Sequence, residues 1–214
     1  MIKAVLFDYD GTLMDTEPVI IASYMELFRR YRRPEDFTPE LQVEVLGPSL
    51  DVEMKKFFPE KDVEQLKAEY RDYQNEHIRE LIKPFAGCLD LLKALQEKGI
   101  KCGLVSTRRT DSMELHLEMF AMTDYFQTII GTDKVANNKP DPEGIFKAMD
   151  ELGVVREETM YVGDSASDIM AGHQAGVLTA GIITNENKRQ AVEMAGPDYM
   201  LKELISLVSV IDML

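Results

Sequence analysis

The sequence predicts an α/β fold: a doubly wound parallel sheet whose first strand is cut off from the others by an all-helical insertion. Three patterns carry the prediction. Residues 2–7 form a run that is apolar but for Lys3, the makeup of a strand covered on both faces, and a turn at Gly11 ends it. Residues 15–83 then show helical spacing alone. From Pro84 onward, short apolar runs alternate with helical stretches, the rhythm of crossover units in a parallel sheet.

The first helix of the insertion is expected after Asp15 or Thr16, either of which can cap it, with Pro18 in the first turn. Ile20, Ile21, Tyr24, Leu27 and Phe28 recur at helical spacing. The cations of "RRYRRP" suit the C-terminal end of that helix, and Pro34 stops it. Further helices are expected over 38–46, 51–57 and 61–82, split by "GPS" and "FPEK". Beyond Pro84, helices at 88–98, 110–121, 142–152, 165–175 and 187–195 alternate with the strands "IKCGLVS", "FQTIIG", "TMYVG" and "VLTAGII". Five strands result. The organisation is a core of residues 1–15 and 84–214 and a helical cap at 16–83. That insertion leaves straight after Asp8 and Asp10, so it is placed to cover whatever those acids bind.

Composition narrows the function. A hydrophobic fraction of 45% and a charged fraction of 29% are those of a soluble globular chain with a real core. A net charge of -14 argues against nucleic acid or an anionic membrane as partner and makes any anionic substrate depend on local cations. Cys88 and Cys102 form neither a disulfide framework nor a zinc knuckle. With no signal segment and no apolar run long enough to span a bilayer, a cytoplasmic protein is expected.

Chemistry is sought after each strand, because doubly wound sheets bind ligands beyond the carboxyl ends of their strands. Asp8 and Asp10 follow the first. Ser106, Thr107 and Arg108 follow the second, and Lys139 in "NNKPDP" lies beyond the third. Asp164 and Asp168 follow the fourth, while the fifth offers only Thr184 and Asn185. Acids with a lysine and hydroxyls fit a hard, oxygen-preferring cation and a phosphoryl group, and magnesium suits both. Zinc would want His or Cys, and His77, His116 and His173 fall on separate expected helices.

In this reading Asp8 is the nucleophile and Asp10 the acid that protonates the leaving oxygen and then the base that deprotonates water. Ser106, Thr107 and nearby backbone N–H groups hold phosphoryl oxygens, and Lys139 neutralises charge. Asp164 completes the metal site, with Asp168 behind it. Each piece alone has a plainer explanation. Asp164 or Ser165 can be a simple N-cap, Asp168 a solvated helix residue, Lys139 an exposed loop lysine, and "STRR" a solvated cationic pair. A calcium loop from Asp8 fails, since Leu13 and Val19 stand where it needs Gly and Glu. The joint placement after successive strands favours the chemistry.

The motifs "DYDGTL", the strand ending at Ser106, Lys139 in "NNKPDP" and "GDSASD" together resemble the haloacid dehalogenase superfamily, in its phosphatase members with a helical cap. The resemblance implies a sheet in strand order 5-4-1-2-3 and Mg2+ held by Asp8, Asp164 and the backbone carbonyl of Asp10. It also implies hydrolysis of a phosphomonoester or phosphoanhydride. Asp10, which the dehalogenases lack, points to phosphoryl transfer. "DTEPVIIASY" and "VLGPSL" are similar to the phosphoglycolate phosphatase branch and its bacterial pyrophosphatases, in which the cap loop around 47–50 leans over the substrate. The expected partner is therefore pyrophosphate or a small phosphorylated metabolite. A phosphomutase of the same family and a phospho-receiver domain are the rival readings.

Overall fold

The structure, a computed structural model, describes residues 1–46 and 50–214. Its main sheet comprises β1 (Ala4–Phe7), β2 (Lys101–Val105), β3 (Phe126–Ile130), β4 (Thr159–Gly163), β5 (Leu178–Ile182) and β6 (Tyr199–Leu201). The order is β3-β2-β1-β4-β5-β6, with every pair parallel. This is the expected order, read from the other edge, with one strand more. The sequence reading missed β6 because "YML" is too short to show a period and pairs only with β5 at the sheet edge.

The helices of this unit are α5 (Cys88–Glu97), α6 (Thr110–Met119), α7 (Glu143–Leu152), α8 (Ala166–Ala175), α9 (Arg189–Ala195) and α10 (Ser206–Asp212); α1 to α4 belong to the insertion. The chain steps from β1 to β2 and β3, then returns past β1 to β4. Right-handed crossovers therefore put α5 and α6 on one face of the sheet and α7 and α8 on the other. The side chains of Ala4 and Leu6 meet Ile145, Ala148 and Leu152 of α7 and Ala171 and Ala175 of α8. Val5 and Phe7 alternate to the opposite face and are equally buried. α10, also absent from the sequence reading, packs against α5.

Two compact units result, Met1–Met14 with Pro84–Leu214 and Asp15–Lys83. The second is built from α1 (Glu17–Tyr31), α2 (Pro39–Glu44), α3 (Leu50–Phe57) and α4 (Val63–Leu81). Its core is an aromatic cluster of Tyr24, Phe28, Phe37, Phe58 and Tyr70, with Leu27, Met54 and Leu66 filling between the rings. Thr16 stands at the N-cap of α1, but its side chain makes no cap hydrogen bond and its buried hydroxyl has no hydrogen-bond partner among the described residues, contrary to the capping expected of Asp15 or Thr16. Arg29 and Arg30 do lie in the last turn. Of the loop expected around 47–50, residues 47–49 lie outside the described residues.

Gly103, inside β2, permits the tight contact between β1, β2 and β3. A Cβ there would lie 2.6 Å from Thr128 Cγ2 and 2.7 Å from Leu6 Cδ2. Gly103→Ala is expected to cost about 1–3 kcal/mol through overpacking. Urea denaturation of the two proteins measures this, and an unchanged midpoint would contradict the packing argument.

Candidate active site

β1 stops at Phe7 and the chain bends at Tyr9, whose ring is buried with its hydroxyl 2.9 Å from His116 Nδ1. Asp8 therefore stands at the carboxyl end of β1 with its N–H still tied to the Val162 carbonyl at 2.9 Å. The parallel register pairs Phe7 with Val162, which sets Asp8 level with Gly163 and brings Asp164 alongside. Asp8, Asp164 and Asp168 are all buried, and each offers an oxygen within 4.8 Å of the other two.

Asp168 is the most completely satisfied of them. Ser165 caps α8 and exchanges hydrogen bonds with it: Asp168 Oδ2 accepts from the Ser165 N–H at 3.0 Å and from Ser165 Oγ at 2.6 Å. Its other oxygen accepts from Lys139 Nζ at 2.5 Å and lies 3.2 Å from the Tyr161 hydroxyl. Burial works against its charge, but Lys139 and Ser165 outweigh that and hold its carboxyl below the usual range. It is neither a plain nor a solvated helix residue.

Lys139 is not an exposed loop lysine either, for its side chain is 6% exposed. Its ammonium also forms an ion pair with Asp8 Oδ1 at 2.8 Å. Its loop is fixed from below, where Glu143 accepts from the N–H groups of Ala136 and Asn137 and Gln174 donates to the Pro140 carbonyl. Burial pushes Asp8 up to about 7, with Asp168 and Asp164 adding to the rise and Lys139 opposing it. Burial likewise raises Asp164 to about 6, against the pull of Lys188.

Asp164 receives a hydrogen bond from Thr12 Oγ1 at 3.4 Å on one oxygen and an ion pair from Lys188 on the other. Gly11, at φ +78°, lets the backbone pass close by: a Cβ there would overlap the Asp164 carboxylate, 2.9 Å from Cγ. The hydroxyl of Thr184 donates to the Gly11 carbonyl at 2.6 Å and holds that turn.

Asp10 is gripped by Arg108, whose Nε lies 3.0 Å from both carboxylate oxygens and whose Nη2 is 2.9 Å from one. Arg108 is steadied by Ser112 Oγ at 3.1 Å, so "STRR" is no solvated pair at that position. Ser106 is buried at the end of β2, its N–H donating to Ile130 and its Oγ accepting from the Arg108 N–H. Thr107 is exposed.

Sequence reasoning gathered the acids and Lys139 but missed Lys188, Thr12 and the anchoring role of Thr184. A charge count carried the signal: buried acids exceeding their one lysine require a second cation from another loop tip.

The haloacid dehalogenase-like hydrolase family matches residues 5–203. A protein named Pyrophosphatase PpaX from Halalkalibacterium halodurans is 36% identical over 98% of this chain and 97% of its own length. One of the same name from Listeria monocytogenes serotype 4b is 34% identical over 98% and 96%. Among solved structures, one named as a haloacid dehalogenase-like hydrolase from Bacteroides fragilis superposes with a TM-score of 0.87 at 27% identity, covering 97% of this chain and 100% of that one. A Thermotoga maritima structure bearing the name of a beta-phosphoglucomutase gives 0.81 at 27%, with 100% of both chains covered. With the match running from Val5 in β1 to Glu203 beyond β6, and relatives a third identical from end to end, the chain belongs to the haloacid dehalogenase-like hydrolases.

Proposed function

We propose that this hydrolase is a magnesium-dependent phosphohydrolase that works through an aspartyl-phosphate on Asp8, with pyrophosphate as its substrate. The observation that carries the reading is the charge of the buried cluster. Among the described residues, the three carboxylates of Asp8, Asp164 and Asp168 form ion pairs with the two ammonium groups of Lys139 and Lys188, so negative charge is left over in a buried place. An oxygen-only set of three buried carboxylates within 4.8 Å of one another, and a backbone approach that only Gly11 allows, fit a small hard cation. Asp8, Asp164 and the backbone carbonyl of Asp10 would hold it. When bound, magnesium supplies charge neutralisation and polarises phosphoryl oxygens.

The chain's own residues do the rest. Asp8 attacks phosphorus; as the new carboxylate–phosphorus bond forms, the bridging bond breaks and its electron pair leaves on oxygen, which takes a proton from Asp10. A water then gives its proton to Asp10 and attacks the same phosphorus, which frees the Asp8 carboxylate and releases phosphate. Ser106 and the backbone beside it bind phosphoryl oxygens, with Thr107 at the loop tip. Lys139 offsets charge building on them, and Asp168 fixes Lys139 in place. The same reading divides the chain into a catalytic core of residues 1–15 and 84–214 and an inserted helical domain of 16–83. Substrate choice is supported by the two relatives named as pyrophosphatases, both at a third identity across the whole chain. A phosphomutase is the second reading, supported by the Thermotoga structure. Its mark would be conversion of a sugar 1-phosphate into the 6-phosphate without free phosphate.

Purified protein is expected to release phosphate from pyrophosphate, and more slowly from p-nitrophenyl phosphate, only when Mg2+ is present. Asp8→Asn is expected to lower turnover by more than about a thousandfold while the protein stays folded. Full activity in that variant would remove Asp8 as nucleophile. Asp10→Asn is expected to lose about 100- to 10,000-fold in turnover; radiolabelled substrate would show whether phosphorylated protein still forms slowly.

A pH dependence follows from the raised carboxyls. Asp8 and Asp164 bind their protons more tightly folded than unfolded, so their contribution to stability is full below about pH 4 and is lost as pH rises through about 6 to 7. In EDTA, the melting temperature is therefore expected to fall between pH 5 and pH 7.5. Saturating Mg2+, at a hundred times its dissociation constant, should restore about 2.7 kcal/mol at pH 7.5 and less at pH 5. Equal restoration at both values would count against these carboxylates as ligands.

A further inference from the structure

We propose that Lys188 competes with the divalent cation for Asp164 and is displaced when the metal binds. The inference rests on reading Asp164 as a metal ligand, and it gives a role to a residue that the reaction scheme leaves unused. The Asp164 carboxylate is 2% exposed, with Thr12 on one oxygen and the Lys188 ammonium directly on the other. A cation can share Asp164 with Thr12, which is neutral. On the oxygen bearing Lys188 it would compete with that ammonium, because two positive centres on one atom repel each other.

The two lysines of the cluster differ in how they are held. Lys139 is 6% exposed and pairs with both Asp168 and Asp8, so displacing it would leave two buried acids without their cation. Lys188 is 23% exposed, and it rises from a turn just before α9 that is fixed at its base, where the Lys188 N–H donates to the Asn185 carbonyl at 3.0 Å. Its backbone is anchored while its ammonium has a route to solvent. On this proposal the side chain swings off Asp164 toward solvent while the turn that carries it stays in place.

The alternative is that Lys188 simply orients Asp164 for the metal, and the two roles predict opposite signs. A residue that merely supports a ligand typically weakens metal affinity by 10- to 100-fold when removed, on the order seen for such partners. A competitor strengthens it. Isothermal titration of Mg2+ into the EDTA-treated, dialysed protein is expected to show Lys188→Met binding about tenfold more tightly than wild type, with the Mg2+-free variant melting at a lower temperature. Lys188→Arg, which keeps the charge, should stay within about threefold of wild type. Unchanged or weaker binding by Lys188→Met would overturn the proposal.

Should that variant fail to fold, the wild-type protein decides. Acetylation of Lys188, followed by mass spectrometry, is expected to speed up several-fold on Mg2+ saturation; an unchanged rate overturns the proposal. If the wild type takes up no Mg2+ and Asp164→Asn titrates identically, the metal reading and this inference fall together. Mg2+ uptake that depends on Asp164 but is indifferent to Lys188 sinks the inference alone.

Discussion

Ionised carboxylates removed from water repel one another, and each costs several kcal/mol to desolvate. Asp8, Asp164 and Asp168 carry that cost together at one end of the sheet, at 7%, 1% and 0% exposure. The rest of the site answers it, though unevenly. Asp168 receives four close polar partners and keeps its charge. Asp8 and Asp164 share what remains, and burial pushes their carboxyls up to about 7 and about 6. The unmet demand for positive charge is thus concentrated on the two acids facing each other across adjacent strands.

That adjacency comes from the topology. The strand order reverses direction between β1 and β4, the place where a doubly wound sheet opens a crevice. β1 and β4 run parallel and in register, so the loops that follow them emerge at the same height. Residues far apart in the chain, Asp8 and Asp164, become neighbours without any long loop to order. The strand ends at β2 and β5 add Ser106 and Thr184, and the loop between β3 and α7 delivers Lys139. A different register at β1 and β4 would separate the acids and remove the reason for both lysines.

Much of this was legible in the sequence because it follows from local rules. Mostly apolar runs of five to seven residues marked five of the six strands, and the acids showed themselves by standing where those runs stop. What escaped depended on contacts across distance. β6 is three residues at an edge, with no period to read. Lys188 lies four residues into the segment after "GIIT", on a stretch that reads as the start of a solvated helix, and only the fold reveals that it turns back onto Asp164. Arg108 stood in view, yet nothing local distinguished it from Arg109, which pairs with exposed Asp111 while Arg108 grips Asp10. Thr16 failed in the other direction, since a good capping residue at the right place makes no cap.

The surplus of negative charge over the whole chain, -14, sharpens the role of these few cations. Over distances beyond about 10 Å, salt screens the surface charges, so an anionic substrate is turned away only weakly at long range. Within the crevice the interior screens less, and each positive group counts for more. Lys139, Lys188 and Arg108 are each committed to an acid: Lys139 to Asp8 and Asp168, Lys188 to Asp164, Arg108 to Asp10. These three cations at the carboxyl ends of the strands are thus already engaged by acids. On the proposed function, affinity for a phosphoryl group would then follow uptake of a divalent cation, because the buried acids that repel an anion would first have to be satisfied.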